Sequence, residues 1–243
     1  MYITGRKPVL ELLIRNPSII MKIIIKESNS EIIKRITDEC IRNNIRVEIL
    51  SSNKFDNNKS IPVKKSQGVI ALTKEFTYVK TSDIIQNNYR QTHSVIVIID
   101  EIQDPHNVGA IIRTCVACGV NGIIMSDKNT PEVNYTVIKA SAGAVNYIPV
   151  SRERNIYKTT DILKENNYLI IGTTPNTDQL LYDFGFPDKC VIIFGNESKG
   201  LRKNIIKLCD RLIKIPMYGE FNSLNVSVAA GIVLYEVFRQ KNK

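Results

Sequence analysis

Long apolar runs are missing from this chain: none reaches the roughly eighteen residues that a membrane-spanning helix needs. The opening residues Met1-Tyr2-Ile3-Thr4-Gly5-Arg6-Lys7-Pro8 lack the apolar segment of a secretory signal. A membrane setting is therefore not expected. Histidine is scarce, with only His93 and His106 in the whole chain, so no Ser-His-Asp set can be assembled and His-based catalysis has little to draw on. His106, in a polar loop, reads as a turn residue. Cysteine is odd in number and scattered, at Cys40, Cys115, Cys118, Cys190 and Cys209. That is no disulfide framework, and it fits a reducing, cytoplasmic compartment. Cys115 and Cys118 form a CxxC, but no second CxxC or His pair follows. They read as small core side chains one helical turn apart, so no metal is expected. Neither GxGxxG nor GxxxxGK[ST] occurs, which leaves a common dinucleotide or a nucleoside triphosphate without support. There is no internal repeat and no low-complexity segment.

What is present is positive charge and a core. The 243 residues carry a formal net charge of +9 with 43% hydrophobic residues. That composition can bury a sizeable interior, and the charge favours a polyanionic partner, with nucleic acid foremost. The length suits two modest domains or one large one.

Residues 1–73 read as a small alternating α/β block. Helices are expected over 7–13 and 30–43, and strands over 21–26, over 45–50 and at the end of the stretch 66–72. The polar stretch 53–59 reads as a solvated loop. Residues 74–93 read as a linker holding a short helix at 82–88. From Ser94 onward, buried strands (95–99, 122–125, 168–172, 190–194 and 212–215) alternate with helices (108–118, 137–144 and 158–166). This pattern predicts an α/β domain over 94–243 with a mostly parallel sheet covered on both faces.

Parallel sheets of this kind bind ligands beyond the carboxyl ends of their strands. Three such ends carry polar loops: Asp104 to Gly109, Gly195 to Gly200, and the stretch that follows Ile215. The third leads into the C-terminal helix, with Asn222 or Ser223 suited to capping it. Leu224, Val228, Ile232 and Tyr235 recur at helical spacing, and Gly231 is positioned to let another backbone come close.

Residues 107–114 (NVGAIIRT), 194–201 (FGNESKGL), and 215–217 (IPM) with 223–229 (SLNVSVA) occur in this order. They resemble the three signature motifs of the SpoU/TrmH branch of the SPOUT RNA 2'-O-ribose methyltransferases, over 94–240. Residues 139–144 (KASAGA) are similar to a stretch between the first two motifs. In the first block, residues 3–9 (ITGRKPV) and 67–71 (QGVIA) are similar to the substrate-binding domain of bacterial 23S rRNA guanosine-2'-O-methyltransferases of the RlmB type. That domain in turn resembles a small ribosomal RNA-binding protein.

The resemblance implies a C-terminal deep trefoil knot that forms an S-adenosyl-L-methionine site. Gly195, Ile215 and Leu224 would contact the cofactor, and Asn107, Arg113, Glu197, Ser223 and Asn225 would surround the reacting ribose. It also implies a homodimer. The helix residues Val228, Ile232, Val233, Leu234, Val237 and Phe238 agree with that, being too apolar for one buried stripe. Cys118, where an aromatic is frequent, and Ser198, where glycine is frequent, are mild departures. Arg113 admits two roles, a phosphate clamp or a general base. The target admits three: 23S rRNA, tRNA, or organellar rRNA. A catalytically inactive RNA-binding or assembly module is the alternative from another class. The lesser alternative for Glu197 is a loop carboxylate that caps the following helix, and the two roles can coexist.

Overall fold

The computed structural model describes residues 1–64, 66–219 and 223–241. They fall into two compact units, Met1–Phe76 and Thr77–Lys243.

The first unit runs β1 (Tyr2–Thr4), α1 (Arg6–Arg15), β2 (Ile20–Lys26), α2 (Glu31–Arg42), β3 (Arg46–Leu50), α3 (Ser52–Asp56) and β4 (Val69–Thr73). The sheet order is β1-β4-β2-β3. β4 is antiparallel to both its neighbours, whereas β2 and β3 run parallel. α2 buries Ile33, Ile36 and Cys40, one face of a 3.6-residue period. The stretch expected to be a solvated loop holds α3 instead. Its one aromatic, Phe55, is 1% exposed and packs with Ile24 and Ile70. A single large side chain in a polar run is enough to anchor a turn of helix, because burying it outweighs the weak local preference.

The second unit continues with α4 (Thr81–Asn87), β5 (Ser94–Ile99), α5 (Pro105–Ala117), β6 (Gly122–Ser126), α6 (Tyr135–Ala140), β7 (Val150–Glu153), α7 (Ile156–Glu165) and β8 (Leu169–Thr173). It ends with β9 (Lys189–Phe194), α8 (Lys203–Ile206), β10 (Arg211–Ile213) and α9 (Val226–Lys241). The sheet order is β10-β8-β9-β5-β6-β7, and every pairing is parallel. β5 and β6 are buried along their whole length, as a sheet covered on both faces requires.

The boundary between the units differs from the sequence reading. Residues 77–93 are not a linker: Ile84 and Ile85 of α4 join the second unit's core with Ile96, Ile98 and Ile124. The backbone N–H of Val79 also bonds to Val150 O at 2.9 Å. Two isoleucines inside a polar stretch commit it to this core.

α9 departs from expectation in three ways. Asn222 lies outside the described residues, and Ser223 is not the cap. Asn225 is: its Oδ1 accepts from Ser227 N at 2.9 Å, and its carbonyl accepts from Ala229 N. A Cβ on Gly231 would meet nothing within 4 Å among the described residues of this chain. Val226, Ala230, Val233, Leu234 and Val237 form the buried face. Val228 and Tyr235 of the expected stripe point outward, 51% and 63% exposed. No helix among the described residues is long and apolar enough to cross a membrane.

Candidate active site

The site is built where β5 and β9 end side by side, with Ile99 paired to Phe194. The first polar loop leaves β5 and enters α5 through Asp104, whose Oδ1 accepts from His106 N at 2.8 Å. Pro105 occupies the first helical turn, where a missing N–H costs nothing. His106 is therefore the start of a helix rather than a turn, and it is exposed. One residue further, Asn107 is 8% exposed and turned inward.

The second loop leaves β9 at Gly195. A Cβ there would lie 2.5 Å from the Gly200 carbonyl, so the loop can fold onto itself only around a glycine. Asn196 and Gly200 then exchange both backbone hydrogen bonds, at 3.1 and 2.8 Å. The fold-back aims Glu197 at the first loop. Its Oε1 accepts from Asp104 N at 3.1 Å and Asn107 Nδ2 at 3.2 Å. Its Oε2 accepts from Gln103 N and Asn196 Nδ2, both at 3.3 Å. Burial pushes the Glu197 carboxyl up. The backbone amides of Glu197, Asp104 and Gln103 and the Asn107 side chain outweigh it and hold the group below its ordinary value. Glu197 is charged and fully engaged, and it braces the segment that leads into α5.

The third segment closes the set. Asn225 Nδ2 donates to Asn107 Oδ1 at 3.1 Å. An ionised carboxylate only accepts, so Asn107 must present its amide to Glu197 and its carbonyl to Asn225. Asn225 in turn spends its own carbonyl on the α9 cap. The orientation of both amides is thus dictated by their neighbours, and the relay joins all three loops.

Beside this relay lies a cavity of ≈ 270 Å³ walled by Gly195 to Leu201 and by Thr173, Ile213, Ile215, Met217, Ser223, Leu224 and Val233. Of the residues expected at the site, Gly195, Glu197, Ile215, Ser223 and Leu224 line it, and Asn107 and Asn225 join through hydrogen bonds. Arg113 does not. It lies further along α5, exposed, with no hydrogen-bond or ion-pair partner among the described residues. The KASAGA stretch is structural here: a Cβ on Gly109 would fall 2.4 Å from Ala140 Cβ, so α5 and α6 pack in direct contact. Cys115 is fully buried, and burial raises its thiol pKa far above the ordinary range. Among the described residues no cluster of three His, Cys, Asp or Glu could hold a metal ion.

Residues 94–235 match the model of the SpoU rRNA Methylase family. The chain belongs to that family. Residues 2–79 match the domain described as RNA 2'-O ribose methyltransferase substrate binding, which fits the SpoU architecture. A Staphylococcus aureus protein whose name places it in the TrmH family of tRNA/rRNA methyltransferases is 36% identical, over 99% of this chain and 96% of that protein. The SpoU methyltransferase AviRb of Streptomyces viridochromogenes, solved in complex with AdoMet, superposes with a TM-score of 0.74. Identity is 22%, over 100% of this chain and 91% of that one. The TrmH/SpoU tRNA modifying enzyme of A. aeolicus is 28% identical over 67% of this chain and 84% of its own, with a TM-score of 0.57. The α/β fold with a mostly parallel sheet is thus the fold of SpoU methyltransferases.

Three residues in and around the loops of the candidate site were not singled out from the sequence. Asn196 donates from Nδ2 to Glu101 O at 2.9 Å and accepts from Ser198 N and Lys199 N. Buried Asp100 and half-buried Arg202 form an ion pair. The available signal was an aspartate directly after five apolar strand residues, since a charge placed there demands a partner.

Proposed function

We propose that this chain transfers a methyl group from S-adenosyl-L-methionine to a ribose 2'-hydroxyl of RNA, with a guanosine of 23S rRNA as the target. The observation that carries this reading is the Glu197–Asn107–Asn225 relay at the rim of the cavity. The cavity suits the cofactor chemically: apolar walls (Ile213, Ile215, Leu224, Val233) for a flat ring, and backbone-rich loops with Thr173 and Asn196 for polar edges. Gly195, Ile215 and Leu224 are its contacts in this reading. When bound, S-adenosylmethionine supplies an electrophilic methyl group.

The residues of the chain do the aligning. An O–C bond forms as an S–C bond breaks, and the rate depends on holding the 2'-oxygen in line. Asn107, Ser223 and Asn225 orient that hydroxyl with uncharged groups, and Glu197 locks Asn107 in place. Arg113, free of other partners among the described residues, grips the neighbouring phosphate with its fork. The 2'-proton leaves to water. A guanidinium holds its proton far too tightly to serve readily as a neutral base near pH 7, which favours the clamp.

The same resemblance extends to a deep trefoil knot in the C-terminal segment. It is supported by the way Ile215, Met217, Ser223 and Leu224, after the edge strand β10, share one cavity with the Gly195–Leu201 loop. It extends also to a homodimer, supported by the outward apolar face of α9 with Val228 and Tyr235. A monomer of full activity at micromolar concentration by sedimentation would contradict the dimer. A tRNA ribose is the second reading of the substrate, favoured by the tRNA/rRNA name of the S. aureus relative.

Titration of S-adenosylmethionine into the protein by calorimetry tests the reading. Wild type should bind, and Leu224→Arg, which drives a long cation into the cavity, should not. Mapping ribose methylation in RNA from cells with and without the gene then decides between rRNA and tRNA.

A further inference from the structure

Arg202 closes the cavity loop at the end opposite Glu197. Asp100, the residue after β5, is 1% exposed, and a carboxylate at that depth needs a charged, hydrogen-bonded partner. Arg202 supplies a fork: Nε donates to Oδ2 at 3.0 Å and Nη2 to Oδ1 at 2.7 Å. Its remaining nitrogen, Nη1, lies 3.0 Å from Glu101 Oε1, close enough for an ion pair but without hydrogen-bond alignment. The backbone N of Asp100 donates to Phe194 O at 2.9 Å, so the carboxylate is anchored where β5 and β9 are still paired. Glu101 holds a φ of +55°, and its carbonyl accepts from Asn196. The loop that walls the cavity is thus fastened at both ends to one short segment, by Asn196 and Glu197 at its start and by Arg202 at its finish.

We propose that Asp100 and Arg202 are positioning residues for methyl transfer. Their fork sets the span of the Gly195–Leu201 loop, and through it the shape of the cavity and the placement of Glu197 against Asn107. This rests on the cavity being the S-adenosylmethionine site. A buried ion pair is not the cheapest way to stabilise a fold, since well-packed apolar residues do as well or better. Its distinctive property is direction: two parallel hydrogen bonds fix angle as well as distance. Lysine would keep the charge and lose that constraint.

The test uses the full-length protein as Arg202→Lys, Arg202→Ala and the double variant Asp100→Asn/Arg202→Gln, which removes both charges of the fork together. S-adenosylmethionine affinity is read by calorimetry at a temperature where near-UV circular dichroism shows each variant folded. Single-turnover methylation of total RNA from cells lacking the gene is read at saturating cofactor, and affinity for that RNA separately. Arg202→Lys and the double variant should bind the cofactor about tenfold more weakly or worse, with RNA affinity unchanged. Saturating cofactor should not restore the full rate, because Glu197 and Asn107 are displaced as well. A merely structural pair would lower the melting temperature and leave the folded protein with wild-type affinity and rate; that result in the double variant overturns the proposal. Wild-type protein that binds no S-adenosylmethionine would remove the reading of the cavity and this proposal with it, an outcome separate from variants that match a binding-competent wild type.

Discussion

The two units of this chain solve different problems with different means. The first, Met1–Phe76, holds six of the nine net positive charges on less than a third of the residues. Some of that charge is already engaged: Lys22 pairs with Glu48, Lys26 Nζ lies 2.6 Å from Asp56, and Arg42 lies 2.8 Å from Glu39. Lys7, Lys34, Arg35, Arg46 and Lys64 remain as exposed or half-exposed cations that can meet phosphates, while Lys65 lies outside the described residues. The second unit is nearly balanced in charge, and its polar groups are spent on one another. Glu197 alone accepts four hydrogen bonds. Diffuse charge attracts RNA without regard to sequence, whereas a closed relay fixes geometry. The contrast assigns affinity to the first unit and chemistry to the second.

The largest effect should come from removing Arg113, the proposed phosphate clamp, which no other described residue engages. Arg113→Ala is expected to lower single-turnover methylation about a hundredfold or more, with S-adenosylmethionine affinity little changed. Arg113→Lys should recover part of the loss, since the charge survives and the fork does not. Followed from pH 6 to 10, the lysine variant should keep the wild-type profile. A shift of that profile to lower pH by about a unit, with chemistry rate-limiting, would make residue 113 the base.

Core truncations should separate the units. Phe55→Ala is expected to cost the first unit about 3–5 kcal/mol and weaken RNA binding while S-adenosylmethionine titration stays unchanged. Ile84→Ala should cost the second unit about 2–5 kcal/mol and lower the temperature at which cofactor binding is lost. Equal effects of both variants on cofactor binding would dissolve the distinction.

What was legible in the sequence follows the same division. The second unit's strands are continuous apolar runs, and their polar loops fall at strand ends, so the sheet and the loops that meet at the candidate site could be read from pattern and motif order. Boundaries set by single side chains could not. Phe55 makes a helix of a polar stretch, and Ile84 and Ile85 make core of a linker, because burial of one or two residues leaves no period to detect. The cap of α9 moved from Asn222 or Ser223 to Asn225, since Ser223 and Leu224 line the cavity instead. The Asp100–Arg202 pair joins residues a hundred positions apart, and only the pairing of β5 with β9 brings them together.

The smallest effect concerns pH. Hydrogen bonds hold the folded Glu197 carboxyl below its ordinary value of 4.5. It therefore contributes stability that is present above that pH and is lost as the pH falls through the folded value. Glu197→Gln should flatten a small part of the acid-side decline in melting temperature. The size is modest because the group is partly solvated. An unchanged slope would mean that the hydrogen bonds do not favour the charged form.

The assignment of chemistry to the second unit and RNA affinity to the first is tested most directly by comparing the full chain with residues 77–243, which keep α4 in the core. Both should be titrated with S-adenosylmethionine and assayed for ribose methylation of RNA from cells lacking the gene. The account predicts matching cofactor affinity and a large fall in kcat/KM for the shorter chain, along with a weaker dependence of RNA binding on salt. A shorter chain that methylates its target at the full-length kcat/KM would contradict it.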